Sequence, residues 1–161
     1  RHSERLVMAN IAQTVNVLQA MLLTDEDGGM VRTPTYHVFE MNKGHHDASA
    51  LPVHVVEGRT YDLDGTAMQL VSASASVKDG QALVSLSNLD PSSALDVVLD
   101  LRGASSWESS GRLLTASKPQ AYNTVGDPDA VAPVPLAVEP EPRGLKVTLP
   151  PHSFATVSLV L

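Results

Sequence analysis

The densest run of chemically capable residues is Met30 to Ala48, MVRTPTYHVFEMNKGHHDA, which follows the acidic stretch Thr24-Asp25-Glu26-Asp27-Gly28-Gly29. Arg32 carries a planar guanidinium whose rigid donor fork suits a substrate hydroxyl or a carboxylate that needs orienting. His45-His46-Asp47 has the residue types of a metal site. Adjacent histidines on a helix diverge by about 100°, however, so both cannot face one ion unaided. A helix C-terminus is reason enough for imidazoles, and no metal site is expected. Asp25, Glu26 and Asp27 are carboxylates of the kind hydrolysis uses, but in a glycine-rich loop they read as a solvated turn. Ser, His and Asp all occur without the spacing of a nucleophile elbow, and a triad is a matter of geometry. The serines alternating along 72–87 read as an exposed sheet face.

These residues need elements to hold them. Residues 3 to about 14 predict a helix, with Ser3 as N-cap and Glu4 near the positive end of the dipole. Met8, Ile11, Val15, Leu18 and Leu22 keep helical spacing, so one helix could run to residue 22. Alternatively the helix breaks near Thr14-Val15-Asn16 and Val17 to Leu23 is a buried strand; periodicity leaves both open. Thr33 and Pro34 form a cap and first turn of a second helix, which continues through Tyr36, Phe39, Glu40, Met41 and Lys43 to a stop at Gly44.

After Leu51 the period becomes two. Strands are expected at Val53–Val55, Met68–Val77, Gln81–Asn88, Leu95–Leu101, Gly111–Thr115, Leu136–Val138, Leu145–Leu149 and Phe154–Leu161. Lys78-Asp79-Gly80 is a hairpin turn and Asp90-Pro91-Ser92-Ser93 another. Pro133, Pro135, Pro140 and Pro142 suit an extended edge connection and not a central strand. Asn123, in Ala-Tyr-Asn-Thr, is placed to order a turn through its side-chain amide. The chain thus divides into residues 1–48, helix, strand, loop and helix, and residues 51–161, an antiparallel β-sandwich of jelly-roll type. The first part is too short to bury its own apolar faces and needs a partner.

The 161 residues can bury a real core. A formal charge of -7 without a basic stripe argues against a nucleic-acid partner. The absence of cysteine excludes disulfides, thiolate metal sites and thiol catalysis, and fits a reducing compartment. No run approaches the roughly 18 apolar residues of a membrane span. Arg1 opens the chain without an initiator Met or signal peptide, as expected of a piece of a longer protein.

Five stretches in order resemble glycoside hydrolase family 51 alpha-L-arabinofuranosidases. They are RLVMANIAQTVNVLQAMLLTD (5–25), TPTYHVFEMNKGHHDA (33–48), VSLSNLDP (84–91), LLTASKPQAYNTVGDPDAVAP (113–133) and LPPHSFATVSL (149–159). The resemblance implies a fold in which residues 1–48 end a catalytic (β/α)₈ barrel and 51–161 form the C-terminal sandwich. It favours the strand reading of Val17 to Leu23, and places Leu23 to Tyr36 over the active-site mouth, where barrels keep their chemistry. Retaining hydrolysis uses two carboxyl groups about 5 Å apart. In the family both are glutamates on earlier barrel strands, so this chain holds no catalytic residue.

Some members carry Trp-Arg-Gln after the last strand, the glutamine touching the sugar. Here Val31, Arg32 and Thr33 correspond, and the glutamine is lost. Arg32, Thr33, Tyr36 and His37 are the substrate-rim candidates. The implied partners are the N-terminal barrel portion and an arabinose-containing oligo- or polysaccharide, with homo-oligomer contacts through the sandwich left open. No cofactor, nucleic acid or membrane is implied, and family habit favours the cytoplasm, secretion remaining open. Two other readings stand beside this one. A non-catalytic sandwich module binding glycan or protein has few aromatics to work with, and its one tryptophan, Trp107, reads better as packing than as a sugar platform. An independent small hydrolase would need its own carboxylate pair.

Overall fold

The computed structural model describes residues 5, 6, 8–11, 14–18, 20–103 and 108–161. In chain order the elements begin with β1 (Leu22–Thr24), β2 (Met30–Arg32), α1 (Pro34–Met41), a 3₁₀ turn (Lys43–His45) and β3 (Ser49–Leu51). There follow β4 (Thr60–Leu63), β5 (Thr66–Gln69), β6 (Val71–Lys78), β7 (Gln81–Asn88) and β8 (Leu95–Asp100). The last are β9 (Glu108–Leu114), β10 (Val134–Leu136), β11 (Glu139–Glu141), β12 (Gly144–Leu149) and β13 (Ser153–Val160).

Two antiparallel sheets make the sandwich, one ordered β10-β9-β13-β7-β6-β3 and the other β11-β12-β8. Their facing sides follow from the period-two pattern. Ala155, Val157 and Leu159 of β13, with Ala82, Val84 and Leu86 of β7, meet Leu145, Val147 and Leu149 of β12 in one core. Leu149, Ala155 and Val157 are fully buried. The Lys78-Gln81 closure is a two-residue turn in which Asp79 and Gly80 both have positive φ, 50° and 74°. That is the turn whose twist matches its strands, and glycine takes the second position without strain. The proline-rich segment supplies β10 and β11, each at an edge of its sheet, where a missing N–H costs no ladder bond.

The large sheet is covered on its outer side too. Met41 and Val38 of α1 pack on Leu114, Phe154 and Val131 in a second cluster. Glu40 forms a two-pronged ion pair with Arg112 of β9, at 2.7 and 3.1 Å. This corrects the reading of the serines as an exposed face: Ser76 and Ser85 are buried, because the turn after α1 lies on them.

Other expectations shift for local reasons. Ser3 and Glu4 lie outside the described residues, as does Trp107, and residues 5, 6 and 8–11 form no helix. The buried strand of Val17 to Leu23 is instead β1, paired with β2 in a hairpin, while Leu18 is 93% exposed. Helix α1 stops at Met41 and not Gly44, because the Asn42 amide caps back onto the Val38 carbonyl at 2.8 Å. The strand placed at Val53–Val55 lies at Ser49–Leu51; Pro52, lacking an N–H, ends it. The run Met68–Val77 is broken at Leu70, which turns inward and is buried. Its first half pairs with β4 across an Asp64-Gly65 turn. The barrel end expected of residues 1–48 is not shown: among the described residues this part is one hairpin, one helix and a 3₁₀ turn.

Candidate functional site

The site is built on the β1–β2 hairpin and the first turn of α1. Register pairs Leu22 with Arg32 and Thr24 with Met30, and paired residues share a face. Leu23 and Val31 therefore occupy the other side, and Val31 is buried. The acidic loop closes the hairpin. The Asp25 carboxylate accepts from the N–H groups of Asp27 and Gly29, at 3.1 and 2.6 Å, so it shapes the turn, and Glu26 and Asp27 are exposed.

Thr33 joins hairpin to helix. Its N–H donates to the Met21 carbonyl at 3.0 Å and its hydroxyl to that of Ala20 at 2.7 Å. The same oxygen accepts from the Tyr36 N–H at 3.4 Å as the N-cap of α1. Its hydroxyl is thus occupied in positioning, and Pro34 starts the helix as the sequence predicts.

Above this cap three candidates come together. The Arg32 guanidinium lies 5.7 Å from the centre of the Tyr36 ring, within cation–π range. Tyr36 meets His37 edge to face, centroids 5.6 Å apart and planes at 84°. Arg32 is exposed and makes no ion pair among the described residues, unlike Arg59, Arg102 and Arg112. His37 is buried, and its Nε2 finds no hydrogen-bond partner among the described residues. Burial, followed by the positive charge of Arg32, holds its pKa below the ordinary value, so the ring is neutral at pH 7. Glu40, on the next turn, is kept ionised by the hydrogen bond from Arg112 and is no proton donor near neutrality. Among the described residues the arrangement offers a cationic donor fork without a carboxylate partner on an aromatic platform, suited to binding hydroxyl-rich or anionic groups.

One residue of consequence was legible only as a turn former. Asn123 is buried, and its Nδ2 donates to the Arg32 carbonyl at 2.8 Å and the Val131 carbonyl at 2.9 Å. Its Oδ1 accepts from the Val131 N–H at 2.7 Å. Nothing in Ala-Tyr-Asn-Thr signals a contact 91 positions away.

The histidine pair resolves into a clasp. His45 Nε2 lies 2.8 Å from Ser85 Oγ and Nδ1 2.7 Å from Ser76 Oγ. Ser85 donates to Asn42 Oδ1 at 2.7 Å, and that oxygen can only accept. Ser85 must then accept from Nε2–H, leaving Nδ1 bare to accept from Ser76. His46 points away to Asp47. Among the described residues no cluster of three or more His, Asp or Glu could hold a metal ion.

A two-sheet antiparallel sandwich, with a hairpin and helix fastened to its outer face, is the class of accessory domain these features define. Residues 1–153 match the alpha-L-arabinofuranosidase C-terminal domain, and the chain belongs to that family. It is 42% identical over 161 residues to an intracellular exo-alpha-L-arabinofuranosidase of Bacteroides ovatus, covering 99% of this chain and 31% of that protein. The crystal structure of the GH51 arabinofuranosidase from Xanthomonas axonopodis pv. citri superposes with a TM-score of 0.90 at 42% identity, covering 98% of this chain and 32% of that one. A family 51 alpha-L-arabinofuranosidase from Bifidobacterium longum shares the fold, with a TM-score of 0.84 at 24% identity, 99% of this chain and 32% of that one being covered. The chain therefore spans about a third of the length of these relatives.

Proposed function

We propose that this chain is the C-terminal portion of a retaining, exo-acting alpha-L-arabinofuranosidase. The parent enzyme releases terminal alpha-L-arabinofuranosyl residues from arabinan, arabinoxylan or arabino-oligosaccharides by a two-step displacement on two glutamates that lie outside this chain. Residues 1–48 complete the barrel, residues 51–161 are the sandwich, and Arg32, Tyr36 and His37, held by Thr33, stand at the rim of the site. The observation that carries the reading is the 42% identity spanning 99% of this chain but only 31% of an exo-acting relative. Arg32, on its aromatic support and without an ion pair among the described residues, is consistent with a sugar-facing rim, and the intracellular relative supports a cytoplasmic location.

The test is hydrolysis of an aryl alpha-L-arabinofuranoside by the full-length protein, with the anomer of the first-formed sugar read by NMR. Release of the alpha anomer supports the proposal, and the beta anomer would exclude retention. The 17.1 kDa chain alone is expected to hydrolyse nothing. Turnover by it would favour an independent hydrolase, and binding of arabinan without turnover would favour a glycan-binding module.

A further inference from the structure

We infer that Asn123 is a positioning residue for substrate binding: through it the sandwich sets the backbone at Arg32 and hence the aim of the rim guanidinium. The inference rests on the rim role proposed above. The Arg32 carbonyl ends β2, and the chain turns there into the cap residue Thr33. One side-chain amide reaches it from the loop following β9, and that amide is itself locked by two bonds to Val131. Val131 is buried in the cluster that includes Met41 and Leu114, so the anchor is the packed body of the domain. On the other side of the residue the guanidinium has only the Tyr36 ring to define it, among the described residues. Its direction is therefore set mainly by where its backbone stands.

The molecule carries a matched control. Asn88 is equally buried and does the same kind of work, donating to the carbonyls of Ser93, Leu149 and Pro150 and accepting from the Asp90 N–H. All its partners lie within the sandwich. Asn→Asp at either position keeps the accepted bond and sets a carboxylate oxygen against carbonyls, with comparable loss of stability. Only at position 123 does one of those carbonyls belong to the rim.

The experiment compares Asn123→Asp and Asn88→Asp in the full-length protein. Readouts are steady-state kinetics on an aryl arabinofuranoside and amide hydrogen exchange over residues 31–37. Asn123→Asp is expected to raise KM about fivefold, the worth of one hydrogen bond, with kcat little changed, and to speed exchange at Thr33 and Tyr36. Asn88→Asp should lower Tm while leaving both alone. Equal effects of the two variants, or an unaltered KM in Asn123→Asp, would overturn the inference. Should wild-type protein lack arabinofuranosidase activity, the rim proposal itself fails, and selective exchange at 31–37 still decides whether Asn123 holds this backbone. If Asn123→Asp does not fold, Asn123→Ser is compared with Asn88→Ser, since serine keeps one donor.

Discussion

Arg32 illustrates how little a residue type says until its neighbours are known. Arg59, Arg102 and Arg112 are each paired with a carboxylate. Arg32 instead rests on Tyr36 and keeps its donors free among the described residues. Arg32→Ala in the full-length enzyme should raise KM about tenfold or more, the loss of a charge-assisted hydrogen bond, and lower Tm by no more than a degree or so, since an exposed cation–π contact is worth only about 0.5–1 kcal/mol. A large fall in Tm without a change in KM would show that Arg32 serves the fold. Thr33, a rim candidate by position, has its hydroxyl engaged on both sides, which makes it a cap before anything else. That role was legible, because Thr-Pro before an apolar helical run is a start signal.

At the scale of elements, α1 is held to the sandwich by three devices of unequal strength. The Glu40–Arg112 pair is part-exposed, with side-chain exposures of 35% and 47%, and contributes at most about 1 kcal/mol. Met41 is 4% exposed in the second cluster, and its truncation to alanine removes about 2–5 kcal/mol. Met41→Ala should therefore shift the urea midpoint several times further than Arg112→Ala; similar shifts would mean that the ion pair, and not the apolar seat, holds the helix. The third device is the His45 clasp. Gly44 lets the turn lie down on β7, since a Cβ there would stand 2.9 Å from Leu83 Cδ2. Alternation located β7 residue for residue, because period two is a local property. The break at Leu70 and the burial of Ser76 and Ser85 were not legible, because they depend on what covers the sheet.

For the whole molecule, the two neutral histidines predict how stability responds to acid. Burial holds the pKa of both His37 and His45 below the ordinary value of about 6.5. The unfolded chain then binds protons more readily, so the stability these groups contribute is present above about pH 6.5 and is lost as pH falls toward their folded values. Protonated His45 must donate from Nδ1 to Ser76, and among the described residues its two ring nitrogens meet only the Ser76 and Ser85 hydroxyls, with no carboxylate to offset the charge. Denaturation midpoints should fall between pH 7.5 and 5.5, and His37→Phe with His45→Gln should flatten that fall. A profile flat in the wild type would mean that neither ring titrates out of its neutral state. The low pKa of Glu40, set by Arg112, adds a separate loss only at pH below the ordinary carboxylate range.

Sequence alone determined the strand alternation, the Asp-Gly and Thr-Pro punctuation, the edge placement of the proline-rich segment and the family resemblance. Each depends on residues close together in the chain, where backbone preference and side-chain period act directly. Tertiary structure decided what depends on distant residues meeting: that His45 bridges two serines, that the outer face of the sheet is covered, and that Asn123 holds Arg32 across 91 positions. No local pattern encodes those contacts, because each exists only once the sheets have paired.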